Sequence, residues 1–177
     1  MSEDNHKAFA VEIVNEQGVC VGTKPYGEVD RLHDILKNVF IFLLTPDREL
    51  ILATITEHRL SKKIYKGKFG TPTVSLLRHG EDCEKAAKRA LVNDLAIYPA
   101  TLVHLGDNME TMNDGTRRLM CVYYAIHDTN VKVNGHILKD IRPVRREELT
   151  RLLQTSSEQF SPQFLVAYDR YKSILPF

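Results

Sequence analysis

The chain contains no tryptophan, three cysteines and almost no net charge across its 177 residues. Each shortage excludes something. Cys20, Cys83 and Cys121 are odd in number and widely spaced, which leaves neither a disulfide framework nor the paired spacing of a zinc knuckle. Free thiols in a reducing cytoplasm are the reading this favours. With 24 Lys and Arg against 23 Asp and Glu, the formal net charge is +1, and no excess of one sign marks a binder of nucleic acid or of a membrane surface. No apolar run approaches the length of a bilayer span. The opening residues MSEDNHKAFA are polar and lack the apolar stretch of a signal peptide, so the expectation is a cytoplasmic protein. There is no internal repeat and no low-complexity tract.

What is present is an ordinary globular composition, 43% hydrophobic and 27% charged. The length fits one domain, residues 1–177, with room for a real core. A hairpin is expected from Val11–Val14 and Val19–Gly22 around Gln17-Gly18, followed by a central apolar strand over Val39–Leu44. Thr45-Pro46-Asp47 is a turn and Leu50–Thr56 the returning strand. Residues 57–72 read as a Lys- and Gly-rich loop, and Thr73–Leu77 as a short extended segment. Further strands are expected at Leu102–Leu105, Leu119–Ile126 and Ile141–Val144, with Asn113-Asp114-Gly115 as a turn. Arg146–Leu153 reads as a helix. A last helix begins at Ser161-Pro162, a favoured cap followed by proline at the first helical position. Strands and helices are interspersed, which implies a mixed α/β domain.

The most informative stretch is 75–97, SLLRHGEDCEKAAKRALVNDLAI. Asp82 can cap a helix by accepting from the free N–H groups of its first turn. Glu84 then meets the positive end of the helix dipole. Ala87, Leu91 and Leu95 recur at helical spacing and form one buried stripe. Cys83 sits at the helix start, where a thiolate is favoured, but no histidine partner is in reach by sequence, so packing is its expected role.

This stretch resembles the Nudix box: Gly, five residues, Glu, seven residues, Arg-Glu, an aliphatic residue, any residue, Glu-Glu, any residue, Gly, and a final aliphatic residue. Laid on without a gap, the pattern puts its first Glu on Glu81, its Arg on Arg89 and its aliphatic positions on Leu91 and Ile97. The opening Gly falls on Ser75, the Glu after Arg on Ala90, the paired glutamates on Asn93 and Asp94, and the closing Gly on Ala96. Residues 11–44, with Gly22-Thr23-Lys24, and residues 66–82, with Gly67, Phe69 and Gly80-Glu81, resemble the branch that includes type 1 isopentenyl-diphosphate isomerase and related hydrolases. The likeness runs from about Val11 to about Tyr171, carried outside the box by order and spacing. It implies a Nudix-type α/β/α sandwich with a mixed β-sheet, and a site between the box helix and the sheet.

The resemblance also implies a chemistry. Helical glutamates in the family gather Mg²⁺ or Mn²⁺, which bridges a diphosphate and positions a water. Here Glu81 and Asp94 are the surviving acidic members and candidate metal ligands, with Arg89 as their support. Lys66, Lys68, His79 and Arg118 are the candidate substrate contacts, with Lys62 and Lys63 in the same basic loop. For Glu81 and Arg89 a structural ion pair is the stronger reading; Asp94 is either a residual ligand or a solvated helix-end charge. The isomerase's cysteine position falls on Val74 and its metal-binding histidines on Asp30 and Leu36, which argues against isomerase activity. The further glutamate used by many Nudix hydrolases falls on Ile137. The expected function is a hydrolase of nucleoside diphosphate-linked compounds with a reduced metal ligand set. The alternative is a non-catalytic module that binds a nucleotide or another small phosphorylated ligand, as a sensor or partner subunit. A homodimer is a family habit.

Overall fold

The computed structural model describes residues 9–56, 66–98, 101–112, 115–128 and 138–177. The expected features at Lys62, Lys63, Asn113-Asp114 and Ile137 lie outside these residues.

The described residues contain a nine-stranded mixed sheet. Strand β1 (Ala10–Val14) and β2 (Cys20–Pro25) form the expected hairpin, with Gly18 at φ +76° in its turn. Glycine suits that position because L side chains rarely adopt that φ, and a Cβ would also come within 2.7 Å of Leu119 Cδ2. Strand β3 (Ile35–Leu44) is longer than its apolar run suggests and is the centre of the sheet. It pairs with β1, with β4 (Leu50–Ile55) and with β6 (Thr73–Leu76) antiparallel, and along its whole length with β8 (Arg117–Ile126) in parallel. Buried on both faces, β3 reads as a near-continuous hydrophobic segment, as parallel-sheet strands do.

Strand β5 (Phe69–Gly70), within the segment expected to be loop, and β9 (Leu138–Val144) both pair with β4. Strand β7 (Leu102–Thr111) pairs with β8 and runs well past the expected Leu105. Glu110 lies in that strand, and Arg117 and Arg118 open β8.

Side chains alternate across the sheet. On one face, Val39, Ile41, Leu43, Cys121, Tyr123 and Ala125 meet Ala86, Ala87, Ala90, Leu91 and Leu95 of helix α1 (Cys83–Leu95). On the other, Phe40, Phe42, Leu44, Met120 and Val122 meet α2 (Arg146–Ser156) and α3 (Pro162–Tyr171) through Leu149, Phe164, Tyr168 and Tyr171, with Phe160 of the connection between the two helices. Helices thus cover both sides of the sheet, the α/β/α sandwich expected.

The helix ends follow their sequences. Asp82 Oδ1 accepts from Lys85 N at 2.7 Å, and Ser161 Oγ accepts from Phe164 N at 3.3 Å ahead of Pro162. Two cysteines depart from the free-thiol expectation. Cys83, the first residue of α1, is joined to Cys121 in β8, their Cα atoms 6.3 Å apart. Residues 38 apart in sequence meet because α1 lies across the sheet with its first turn over β8. Cys20 is free and exposed.

Candidate functional site

The loop between β6 and α1 is held by one arginine. Arg89 Nε donates to Glu81 Oε1 at 2.7 Å and its Nη2 donates to Glu81 Oε2 at 2.8 Å. The same guanidinium donates to Leu76 O at 2.8 Å and Ser75 Oγ at 3.2 Å. Glu81 Oε2 also accepts from Arg78 N at 2.9 Å. One half-buried ion pair thereby ties the end of β6, the loop and the second turn of α1 together. Burial pushes the Glu81 carboxyl up; the hydrogen bonds and charge of Arg89, with the Arg78 amide, outweigh it and hold the group below its ordinary value. Glu81 and Arg89 thus form an ion pair that holds the loop onto the helix.

Asp94 is not a solvated helix-end charge. It is 8% exposed, and Thr73 Oγ1 donates to its Oδ2 at 2.6 Å. Thr73 and Ser75 lie opposite Ile41 and Val39 in the β3–β6 pair, so both point to the α1 side of the sheet. Ala90, at the first glutamate position of the box pattern, is 2% exposed within the core beneath α1. Asn93 faces solvent. Ala96, at the closing glycine position, caps α1 in the left-handed conformation at φ +54°. That is a conformation glycine usually supplies at a helix end.

The other expected contacts do not converge on this point. His79 Nδ1 lies 3.6 Å from Glu12 Oε1, which also accepts from Gly80 N at 3.3 Å. Lys68 Nζ donates to Glu158 O at 2.9 Å, in the 3₁₀ turn after α2. Lys66 lies in the turn ahead of β5. Arg118 pairs across β8 with Leu36 and Glu110, which places it on the face opposite α1. Of the seven candidate residues, the structure joins Glu81 to Arg89 and gives Asp94 a separate partner.

One group near α1 was not foreseen. His104 Nε2 sits 2.8 Å from Asp107 Oδ1, and the His104 ring lies 5.0 Å from that of Tyr123, on the α1 side of β7 and β8. Burial, and then the charges of Asp107, Glu84 and Asp82, push the Tyr123 phenol up. A bulge between His104 and Gly106 brings the histidine and Asp107 to one side, which strand alternation in the sequence would not reveal. An open groove of about 450 Å³ lies elsewhere, between the β3–β4 turn and the start of α2. Its arginines are occupied: Arg145 with Glu49, Arg146 with backbone oxygens near Phe177.

The donor set does not fit a magnesium cluster. Mg²⁺ calls for several hard oxygen ligands in near-octahedral array. The α1 positions that would supply them hold an alanine in the core, a neutral amide, and one shortened carboxylate bound to a threonine. Among the described residues, no group of three His, Cys, Asp or Glu side chains is arranged to hold a metal.

No family model and no curated protein matches the sequence. Solved structures do match in three dimensions. A crystal structure of DR0079 from Deinococcus radiodurans superposes with a TM-score of 0.73 at 18% identity, over 91% of this chain and 97% of that one. The NUDIX domain of Shewanella oneidensis NrtR, in complex with ADP ribose, gives 0.59 at 16%, over 85% and 92%. A MutT protein from Methanosarcina mazei gives 0.59 at 13%, over 82% and 99%. The chain has the Nudix fold, the one its box-like segment implied.

Proposed function

We propose that this protein binds a nucleoside diphosphate derivative on the Nudix fold and does not perform canonical metal-cluster hydrolysis. The observation that carries this reading is the engagement of both surviving carboxylates. Asp94 is enclosed against Thr73, and Glu81 is bound on both oxygens by Arg89. Neither is presented as a cation ligand, and Ala90 cannot become one. Losing one of several cooperating catalytic groups can cost orders of magnitude in rate, and this chain lacks most of them. The ligand class rests on the ADP ribose bound to the NrtR domain of the same fold. We take residues 1–177 as one domain serving this role.

The competing reading is a hydrolase of nucleoside diphosphate-linked compounds with weak or altered metal dependence. The intact Glu81–Arg89 frame favours it, as does the fold shared with a Caenorhabditis elegans Ap4A hydrolase, at a TM-score of 0.52. Two measurements on the full chain separate them. Calorimetric titration with ADP-ribose should show binding that survives chelation of divalent cations. Phosphate and diphosphate release from a panel of nucleoside diphosphate derivatives, with Mg²⁺ or Mn²⁺, should not exceed that of the Glu81→Ala, Asp94→Ala double variant. Metal-dependent turnover that the double variant loses would establish the hydrolase instead.

A further inference from the structure

We propose that the Cys83–Cys121 bond is a thiol-exchange site, at which a small monothiol enters on Cys83 and Cys121 expels it again. The two bonded residues stand in different surroundings. Cys121 is fully buried in the middle of β8, with Val39 of β3 on one side and Asp107 of β7 on the other. Cys83 is only partly buried at the start of α1, between the exposed Asp82 and Glu84.

Thiol–disulfide exchange begins when an incoming sulfur reaches one of the two bonded sulfurs, and access decides which. Cys121 is closed off by the sheet and by the core beneath α1, in one cluster with Val39, Ile41 and Ala87. Cys83 is left as the point of entry. Once a thiol has joined it, the fold still holds Cys121 beside it, and such proximity favours the return reaction.

The bond can open without α1 leaving the sheet. Arg89, in the second turn, stays tied to Glu81 and to Leu76 O. Thr73 still donates to Asp94 in the last turn. Ala86, Ala87, Ala90, Leu91 and Leu95 keep the helix packed on its core. The joined and the open pair can therefore interconvert in the folded protein.

The exchange balances in two halves. A thiolate RS⁻ forms a bond to Cys83 Sγ as the Cys83–Cys121 bond breaks. The electron pair leaves with Cys121 Sγ, which takes the proton the incoming thiol gave up. A second monothiol then attacks the outer sulfur of the adduct, Cys83 leaves as a thiol and RSSR departs. The pair has gained two electrons and two protons, and two RSH have become one RSSR. Run backwards, RSSR adds to Cys83 and Cys121 displaces RSH to restore the bond. The site rests on neither reading of the function above.

The test uses the full chain with Cys20→Ser, so that only the pair can react, and reduced and oxidised glutathione as the probe. Exchange is stopped with acid and the adduct mapped by peptide mass spectrometry. In the folded protein, reduced glutathione should open the bond through an adduct on Cys83, and oxidised glutathione should close it again. With Cys121→Ala added, oxidised glutathione should leave a lasting adduct on Cys83. With Cys83→Ala added instead, Cys121 should react at least about a hundredfold more slowly, because its thiol is reached only when that part of the fold opens. Serine replaces alanine in a variant that does not fold, and the adduct's position on the two-cysteine chain reads the entry point without either. An adduct on Cys121, equal rates for the two single cysteines, or no exchange short of denaturing urea would overturn the proposal. So would loss of the helical circular dichroism when the bond is reduced, which would make it a staple of the fold alone.

Discussion

Thr73 Oγ1 donates to Asp94 Oδ2 at 2.6 Å, which fastens α1 to strand β6. Removing either partner leaves the other enclosed and short of a bond. Asp94→Ala should lower the unfolding free energy by about 1–3 kcal/mol, and Thr73→Val by a similar amount. The double variant should fall short of the sum by about 1 kcal/mol in urea denaturation, since the two residues share one interaction. Additivity of the two effects would show that the contact does not fasten the helix.

The Glu81–Arg89 pair carries a pH signature. The folded-state carboxyl lies below its ordinary value of 4.5 because Arg89 and the Arg78 amide outweigh its burial. A depressed carboxylate adds stability that is present above the unfolded value and lost as pH falls through the folded one. Wild type should exceed Glu81→Gln by about 1–2 kcal/mol at neutral pH. That margin should shrink steadily below pH 4.5. Chemical denaturation of both proteins across the acid range measures it, and a margin independent of pH would contradict the pair's role.

The Cys83–Cys121 bond closes a loop between residues 38 apart. A loop of that size is worth about 2–4 kcal/mol through the unfolded state. Cys83→Ser should show that loss in denaturant melts, whereas Cys20→Ser, on the exposed β2 edge, should not. Alkylation of the unfolded, unreduced chain should label one cysteine; labelling of all three would show that the bond does not form.

Ala96 holds φ +54° at the C-terminal end of α1, its N–H reaching the Leu91 and Val92 carbonyls. Glycine adopts that conformation without the Cβ clash. Ala96→Gly should therefore raise stability by about 0.5–1 kcal/mol, the relief of left-handed strain less the entropy of a freer unfolded chain. A lower melting temperature would show that the alanine side chain contributes packing there.

The helix of the box segment was legible because its signals are local: an Asp cap, an alanine-rich run and a stripe at helical spacing. The β1–β2 hairpin and the proline-started α3 were legible for the same reason. Strand lengths were not. β7 continues through polar residues to Thr111 and β8 begins at two arginines, because their partners, not their own hydropathy, keep them extended. β5, two residues long, exists only by pairing with β4.

Site residues divide the same way. Glu81 and Arg89, eight apart, were readable as a pair because the loop and one helix bring them together. Arg118 and Lys68, grouped with them on charge, lie on the far face and beside the C-terminal segment. Charge shows what a side chain can bind, and strand register decides which face it serves.

The amino-acid sequence by itself determined the α/β character and the capped, striped helix of residues 83–95, since composition and short-range periodicity encode these directly. Only the tertiary structure decided that Thr73 donates to Asp94 and that Cys83 reaches Cys121. Both facts depend on contacts between separate elements, and such contacts come into being only when the sheet closes and α1 packs onto one of its faces.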